Sequence, residues 1–289
     1  MNASIPTDLP RSKDRRAVER NTPERRDHIG RPTVSVIIPT LNEALNIPHV
    51  FSTLPNGLNE LIVVDGHSQD DTALVVKDLR PDARVILQDK MGKGNALSCG
   101  FAASRGDIIV MLDADGSTNP GEIPRFLRPL MEGNDFAKGS RFLEGGGSND
   151  ITRIRSLGNR LLCSGVNLMF GTKYTDLCYG YNAFWRGCLP YLQVICEGFE
   201  VETVINVRAA KSGFSIMEVP SFESSRLNGV SNLNAFSDGK RVLRAILGEY
   251  IRPLPEPSNS WIPQFSEIFP SVEERMARLG LEVKGLSIP

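Results

Sequence analysis

Two aspartates one residue apart, Asp113 and Asp115, close the apolar run Ile108-Ile109-Val110-Met111-Leu112 and precede Gly116-Ser117. The run reads as a buried strand, and side chains two apart on a strand point to the same side. If the extension persists, both carboxylates are aimed together past the edge of a sheet. Paired hard oxygen ligands suit Mg²⁺ or Mn²⁺, which usually keep some waters and share a phosphate-bearing substrate. The other reading is an acidic turn closing a strand, because Asp and Gly are ordinary turn residues.

Two further groups of polar residues follow apolar runs in the same way. Pro39-Thr40-Leu41-Asn42-Glu43 ends the run from Val34, and Asp65-Gly66-His67-Ser68 ends Leu61–Val64. Any one of the three groups is a turn, but three acidic strand ends along one rim describe a cleft for a nucleotide and its metal. The glycines fit neither common nucleotide fingerprint. Gly92-Lys93-Gly94 lacks the third glycine of a dinucleotide site, and no P-loop pattern occurs.

These groups need a scaffold, and strand and helix signals alternate to supply it. Strands are expected at Val34–Pro39, Leu61–Val64, Arg84–Leu87 and Ile108–Leu112, with helices over 43–54, 71–79, 94–104 and 121–132. Such alternation predicts an α/β fold with a mostly parallel central sheet flanked by helices. Ligands of such sheets bind beyond the carboxyl ends of the strands. Farther on, helices are expected at Leu161–Phe170, Phe199–Lys211 and Lys240–Arg252.

At 289 residues and 40% hydrophobic content, the chain can bury a substantial core. Lys plus Arg number 33 against 34 for Asp plus Glu, so no global field argues for nucleic acid. Five cysteines without C-x-x-C, and three histidines, speak against a disulfide framework or a structural zinc site. No segment approaches the roughly 18 apolar residues that span a bilayer, and no signal-peptide core is evident. The expected location is cytoplasmic, with peripheral contact at the cytoplasmic face of a membrane as an option. Residues 1–32 are Arg-rich and polar and read as a disordered tail. Residues 253–289 read as a C-terminal extension carrying a short helix over 272–279, which leaves 33–252 as the catalytic domain.

In combination the motifs resemble a family 2 glycosyltransferase of GT-A fold, in the dolichol-phosphate mannose synthase branch. The resembling segments are PTLNE (39–43), VVDGHSQDDT (63–72), GKGNAL (92–97), LDADGS (112–117), KGSRF (138–142), DLCYGYNAF (176–184), FEVETVINVRA (199–209) and SRLNGVSNL (225–233). The resemblance implies that Pro39, Asn42, Glu43 and Asp65 hold the base and ribose of a nucleotide sugar. It implies that Asp113 and Asp115, flanking Ala114, hold Mg²⁺ or Mn²⁺ against the diphosphate. Lys93 is a candidate phosphate contact, or else a surface lysine in a Gly turn. Two departures stand out. The family commonly carries paired acids and Gly-Ser where this chain reads Asp65-Gly66-His67-Ser68, and a glutamine in some relatives is replaced by Ser117.

On the acceptor side the resemblance points to Arg141 and Arg226 as holders of an acceptor phosphate, since a guanidinium offers fixed paired donors. A polyprenyl monophosphate is already anionic and would need no protein base. A hydroxyl acceptor would need one, with Asp176, Glu200 and Glu202 as candidates. Glu200 and Glu202 also suit a helix N-terminus, where acids oppose the dipole. Ser231 belongs to the last motif, on the same side. The stretch 240–252 places Val242, Leu243, Ile246, Leu247 and Tyr250 at helical spacing among basic residues. That pattern fits either a basic interfacial helix beside a lipid or a stripe docked on the core. The resulting expectation is inverting transfer of a hexose, mannose from GDP-mannose before glucose from UDP-glucose, to a polyprenyl phosphate. A transferase acting on a hydroxyl is the alternative, and a sugar-nucleotide-binding protein without turnover is a distant third.

Overall fold

The structure is a computed structural model that describes residues 31–229, 235–253, 256–258, 263 and 266–267. Residues 1–30 of the tail expected over 1–32, Ser231 and the expected helix over 272–279 lie outside the described residues.

The first half follows the alternation in the sequence. In order come β1 (Val34–Thr40), α1 (Ile47–Ser52), β2 (Glu60–Asp65), α2 (Thr72–Leu79), β3 (Arg84–Leu87), α3 (Lys93–Ala103), β4 (Ile108–Met111) and α4 (Ile123–Met131). The helix expected over 43–54 is shorter, because residues 43–46 form turns tied to the neighbouring loop. Then follow β5 (Phe136–Ser140), β6 (Gly147–Ser148), α5 (Arg153–Phe170), β7 (Asn182–Trp185), α6 (Leu189–Leu192), α7 (Val201–Lys211), β8 (Ile216–Pro220), β9 (Phe222–Glu223), α8 (Ala235–Ile251) and β10 (Ser266–Glu267).

Eight strands form one sheet in the order β10-β3-β2-β1-β4-β7-β5-β8. The block β3-β2-β1-β4 is parallel throughout. Strand β7 runs antiparallel between β4 and β5, a return no local pattern announced. The register brings Thr40, Asp65 and Leu87 to one edge, and β4 stops beside Ile37. The polar segments after β1, β2 and β4 therefore leave the sheet together.

Alternation along the strands divides the core. Val34, Val36 and Ile38 face a layer with Ile47, Val76, Ile123 and Phe126 of α1, α2 and α4. Ile37, Ile62 and Val64 face the opposite layer with Leu97, Phe101, Val201 and Ile205 of α3 and α7. A third cluster joins Cys163 and Val166 of α5 to Val207 of α7 and to Val242 and Ile246 of α8. It hangs α5 and α8 beside the sheet edge where the polar segments emerge.

Candidate functional site

The strand ends and the α5–α8 pair enclose one cavity of ≈ 940 Å³. Pro39, Glu43, Asp113, Ala114 and Asp115 line its sheet side. The expected i, i+2 strand geometry of the two aspartates is not what aligns them, because β4 ends at Met111. A bend does so instead. The backbone N–H and hydroxyl of Ser117 donate to Asp115 Oδ1 at 2.9 and 2.6 Å, and the Thr118 hydroxyl donates to the Asp113 carbonyl at 3.2 Å.

Both carboxylates face cations of the chain itself. Lys93 Nζ lies 2.5 Å from Asp113 Oδ1 and 2.7 Å from Glu202 Oε1. Arg226 reaches Asp115 Oδ2 at 3.3 Å and Glu43 Oε1 at 3.1 Å. Lys93 is therefore no surface lysine. Burial disfavours its charge, but Asp113 and Glu202 outweigh this and raise its pKa well above the ordinary lysine value. Burial raises the Glu43 carboxyl, against the opposing bond from Asn46 and the charge of Arg226. Burial likewise raises Glu202, which Lys93 opposes and Asp113 reinforces.

Asp113 and Asp115 offer a hard divalent cation two carboxylates on one wall, for which it would compete with Lys93 and Arg226. Among the described residues no third His, Cys, Asp or Glu joins them in a metal-binding group. Ser117 spends its hydroxyl on Asp115 and is a brace for that carboxylate. Further positions around such an ion fall to water or to a ligand's own oxygens.

Other expected contacts are placed differently. Asp65 is buried, and its Oδ1 accepts the Ser68 N–H at 2.7 Å rather than lining the cavity. Asn42, at φ 57°, ties the first loop to the second by accepting from the Gln69 N–H at 2.7 Å. These two shape the rim from behind. Sequence reasoning missed Gln88, which follows β3, lines the cavity and carries a buried Oε1 with no hydrogen-bond partner among the described residues. An amide at a fourth strand end was the available signal.

The acceptor-side expectations are corrected in detail. Arg141 lines the cavity but is 6% exposed and fully engaged in ion pairs. Its Nε and Nη2 donate to the two Asp176 oxygens at 2.7 and 3.0 Å, and Nη1 donates to Glu223 at 3.0 and 3.1 Å. Asp176 is wholly buried, and although burial raises its pKa, Arg141 and Lys138 bring the carboxyl below the usual range. It is the counterion of Arg141 and has no access as a base. Glu202 is the partner of Lys93. Glu200 stands at the start of α7, does not line the cavity and faces Arg241 at 3.8 Å. Glu200, the N-cap residue, makes no side-chain cap bond to the helix.

The cation that the motifs did not single out is Arg155, in the first turn of α5. It lines the cavity, is 26% exposed and pairs with Asp150 at 3.0 Å. Around it Ile151, Ile154 and Leu162, with Val242 of α8, build an apolar wall. Of the two expectations for 240–252, the stripe docked on the core is seen for part of the helix. Val242, Ile246 and Glu249 face inward, whereas Leu243, Leu247 and Tyr250 are exposed. Leu157, Leu161 and Leu168 are likewise exposed on α5. Cys178 is an exposed free thiol that lines the cavity.

Known proteins resemble the chain in sequence and fold. The model of the family described as glycosyl transferase family 2 matches residues 35–190. Over 209 residues the chain is 32% identical to glycosyltransferase AglJ of Haloferax volcanii, covering 71% of this chain and 68% of that protein. It is 32% identical over 219 residues to polyprenol monophosphomannose synthase of Mycolicibacterium smegmatis, covering 71% of this chain and 83% of that protein. Among solved structures, glucosyl-3-phosphoglycerate synthase from Mycobacterium tuberculosis, in complex with Mn²⁺, uridine diphosphate and phosphoglyceric acid, matches with TM-score 0.63. That match has 26% identity and covers 77% of this chain and 80% of the other.

Proposed function

The chain belongs to glycosyl transferase family 2, in the dolichol-phosphate mannose synthase branch, and from that premise we propose that it transfers a hexose from a nucleoside-diphosphate sugar to a polyprenyl phosphate with inversion. GDP-mannose is the first donor and UDP-glucose the next. One observation carries the reading: the same cavity has paired carboxylates and Arg226 at its sheet end and Arg155 with an apolar helical wall at the other.

Asp113 and Asp115 are the residues to hold Mg²⁺ or Mn²⁺, which when bound neutralises charge on the departing diphosphate. The chain's own side chains then bind and orient. Pro39 and Glu43 flank the nucleoside, and the free Gln88 Oε1 is an acceptor for an N–H of the base. Lys93 gives a charge-assisted bond to the diphosphate. Arg155 and Arg226 hold the acceptor's phosphate, while Arg141, locked between Asp176 and Glu223, stiffens the wall beneath them.

The acceptor's anionic phosphate oxygen forms the new bond to the anomeric carbon as the sugar–phosphate bond breaks. The nucleoside diphosphate leaves with the bonding electrons, and no proton has to move. Positioning and charge stabilisation are then the whole task. A hydroxyl acceptor would need a base, and Asp176 and Glu202 are both committed to buried ion pairs, which favours the phosphate acceptor.

Among the described residues no helix is long and apolar enough to cross a membrane. The exposed leucines of α5 and α8, interspersed with Arg153, Arg160, Lys240 and Arg244, fit peripheral contact with the lipid surface that presents the acceptor, at its cytoplasmic face.

Incubation with labelled GDP-mannose or UDP-glucose, Mg²⁺ and a short polyprenyl phosphate tests the proposal. A lipid-extractable, acid-labile labelled product is expected, with none when phosphoglycerate replaces the lipid. No lipid product with any common sugar nucleotide overturns the reading.

A further inference from the structure

The glycines around Lys93 have a purpose that phosphate binding does not explain. Gly92 takes φ 103°, outside the range of other residues, and a Cβ there would fall inside the van der Waals shell of the Glu197 carbonyl. A Cβ on Gly94 would strike the Cys196 carbonyl, and the Gly94 N–H donates to the Glu197 carbonyl at 2.9 Å. Gly92-Lys93-Gly94 is thus a seam on which the backbone of residues 196–197 is laid. The same segment runs on into α7, with Phe199 6.0 Å from the ammonium and Glu202 at 2.7 Å. From the far side Gly180 leaves just enough room, since a Cβ there would lie 3.0 Å from Asp113 Oδ2, 3.1 Å from Lys93 Nζ and 3.3 Å from Glu202 Oε1.

One ammonium is therefore shared by two carboxylates with different prospects. Asp113 belongs to the pair fit for a divalent cation, and a cation there competes with Lys93 for its oxygens. Glu202 is 4% exposed, and Lys93 is its sole ion-pair partner among the described residues. We propose that Glu202 is the positioning residue for Lys93: it retains and aims the ammonium at the donor's diphosphate when Asp113 is engaged elsewhere. Through the glycine seam, the helix on the acceptor side thereby sets the geometry of a donor contact. The inference rests on the donor-site reading given above.

Calorimetric binding of GDP and UDP, and of guanosine and uridine, in the presence of Mn²⁺ tests it with Lys93→Met, Glu202→Gln and the double variant. Each single variant is expected to bind the preferred diphosphate about tenfold more weakly, the worth of one charge-assisted bond. Nucleoside affinity stays within about twofold, and the double variant is no weaker than Lys93→Met, because the effect of Glu202 passes through Lys93. Unchanged diphosphate binding by Glu202→Gln, additive losses in the double variant, or a parallel loss of nucleoside binding each overturn the inference. Asp115→Ala tests the underlying reading separately. If it keeps Mn²⁺-dependent diphosphate binding, the metal site is misplaced, whatever the Lys93–Glu202 cycle shows.

Discussion

Arg141 and Asp176 are both out of water, joined by two guanidinium hydrogen bonds and one from the Arg141 backbone N–H, with Glu223 closing the far side of the guanidinium. Such a pair adds little net stability, since desolvation consumes most of its attraction, but breaking it strands a buried charge. Asp176→Asn is therefore expected to cost about 3 kcal/mol at neutral pH, read by urea unfolding. The native Asp176 carboxyl titrates below its ordinary value. Its contribution is present above the unfolded value of roughly 4 and is lost as pH falls through the lower native value. The gap between wild type and Asp176→Asn should thus narrow in strong acid; a gap constant from pH 7 to pH 2 removes this account. Arg155 belongs to the other class of arginine, half-open and on the cavity wall. Arg155→Gln should raise the KM for a polyprenyl phosphate about tenfold while leaving nucleotide affinity intact. Equal losses of both would remove its acceptor role.

At the scale of elements, helix α3 begins on a compromise. Alanine is favoured over glycine inside a helix by about 1 kcal/mol, so propensity alone would improve position 94. Packing opposes this, because a methyl there meets the Cys196 carbonyl, a backbone atom that cannot rotate away. Overpacking costs about 1–3 kcal/mol, which exceeds the helical gain. Gly94→Ala should accordingly lower the melting temperature and weaken diphosphate binding together, because the displaced segment carries Glu202. A variant that melts higher and binds normally would show that the seam does not control the site.

At the scale of the whole molecule, α5 and α8 each present two faces. Cys163, Val166, Val242 and Ile246 close the third core cluster, while Leu157, Leu161, Leu243 and Leu247 are exposed. The two helices converge again at the Phe170–Tyr250 ring contact, far along from the cavity wall they share at their N-terminal ends. Sedimentation with anionic vesicles is expected to carry down the full chain at low salt. Leu243→Gln with Leu247→Gln should reduce that fraction severalfold while changing stability by about 0.5 kcal/mol or less per site, since exposed positions contribute little to folding. Equal recovery in the supernatant with and without vesicles would sink the membrane contact.

The strand–helix alternation, the parallel half of the sheet and the clustering of Pro39, Glu43, Asp113 and Asp115 were legible along the chain. Each depends on periodicity and on side chains only a few residues from a strand end. Partnership was not legible. Which carboxylate meets which cation depends on residues separated by 35 positions for Arg141 and Asp176 and by 183 for Arg226 and Glu43. Long flexible side chains settle such choices only after packing has set the backbone. Hence Arg141, an open phosphate clamp by its motif, became the counterion of Asp176. Lys93, readable as a surface lysine, became the buried link between two carboxylates. The amino-acid order alone determined an α/β transferase fold with acidic strand ends. Folding decided which of its charges remain available to a ligand, because burial and proximity, not residue type, determine whether a charge is already neutralised within the protein.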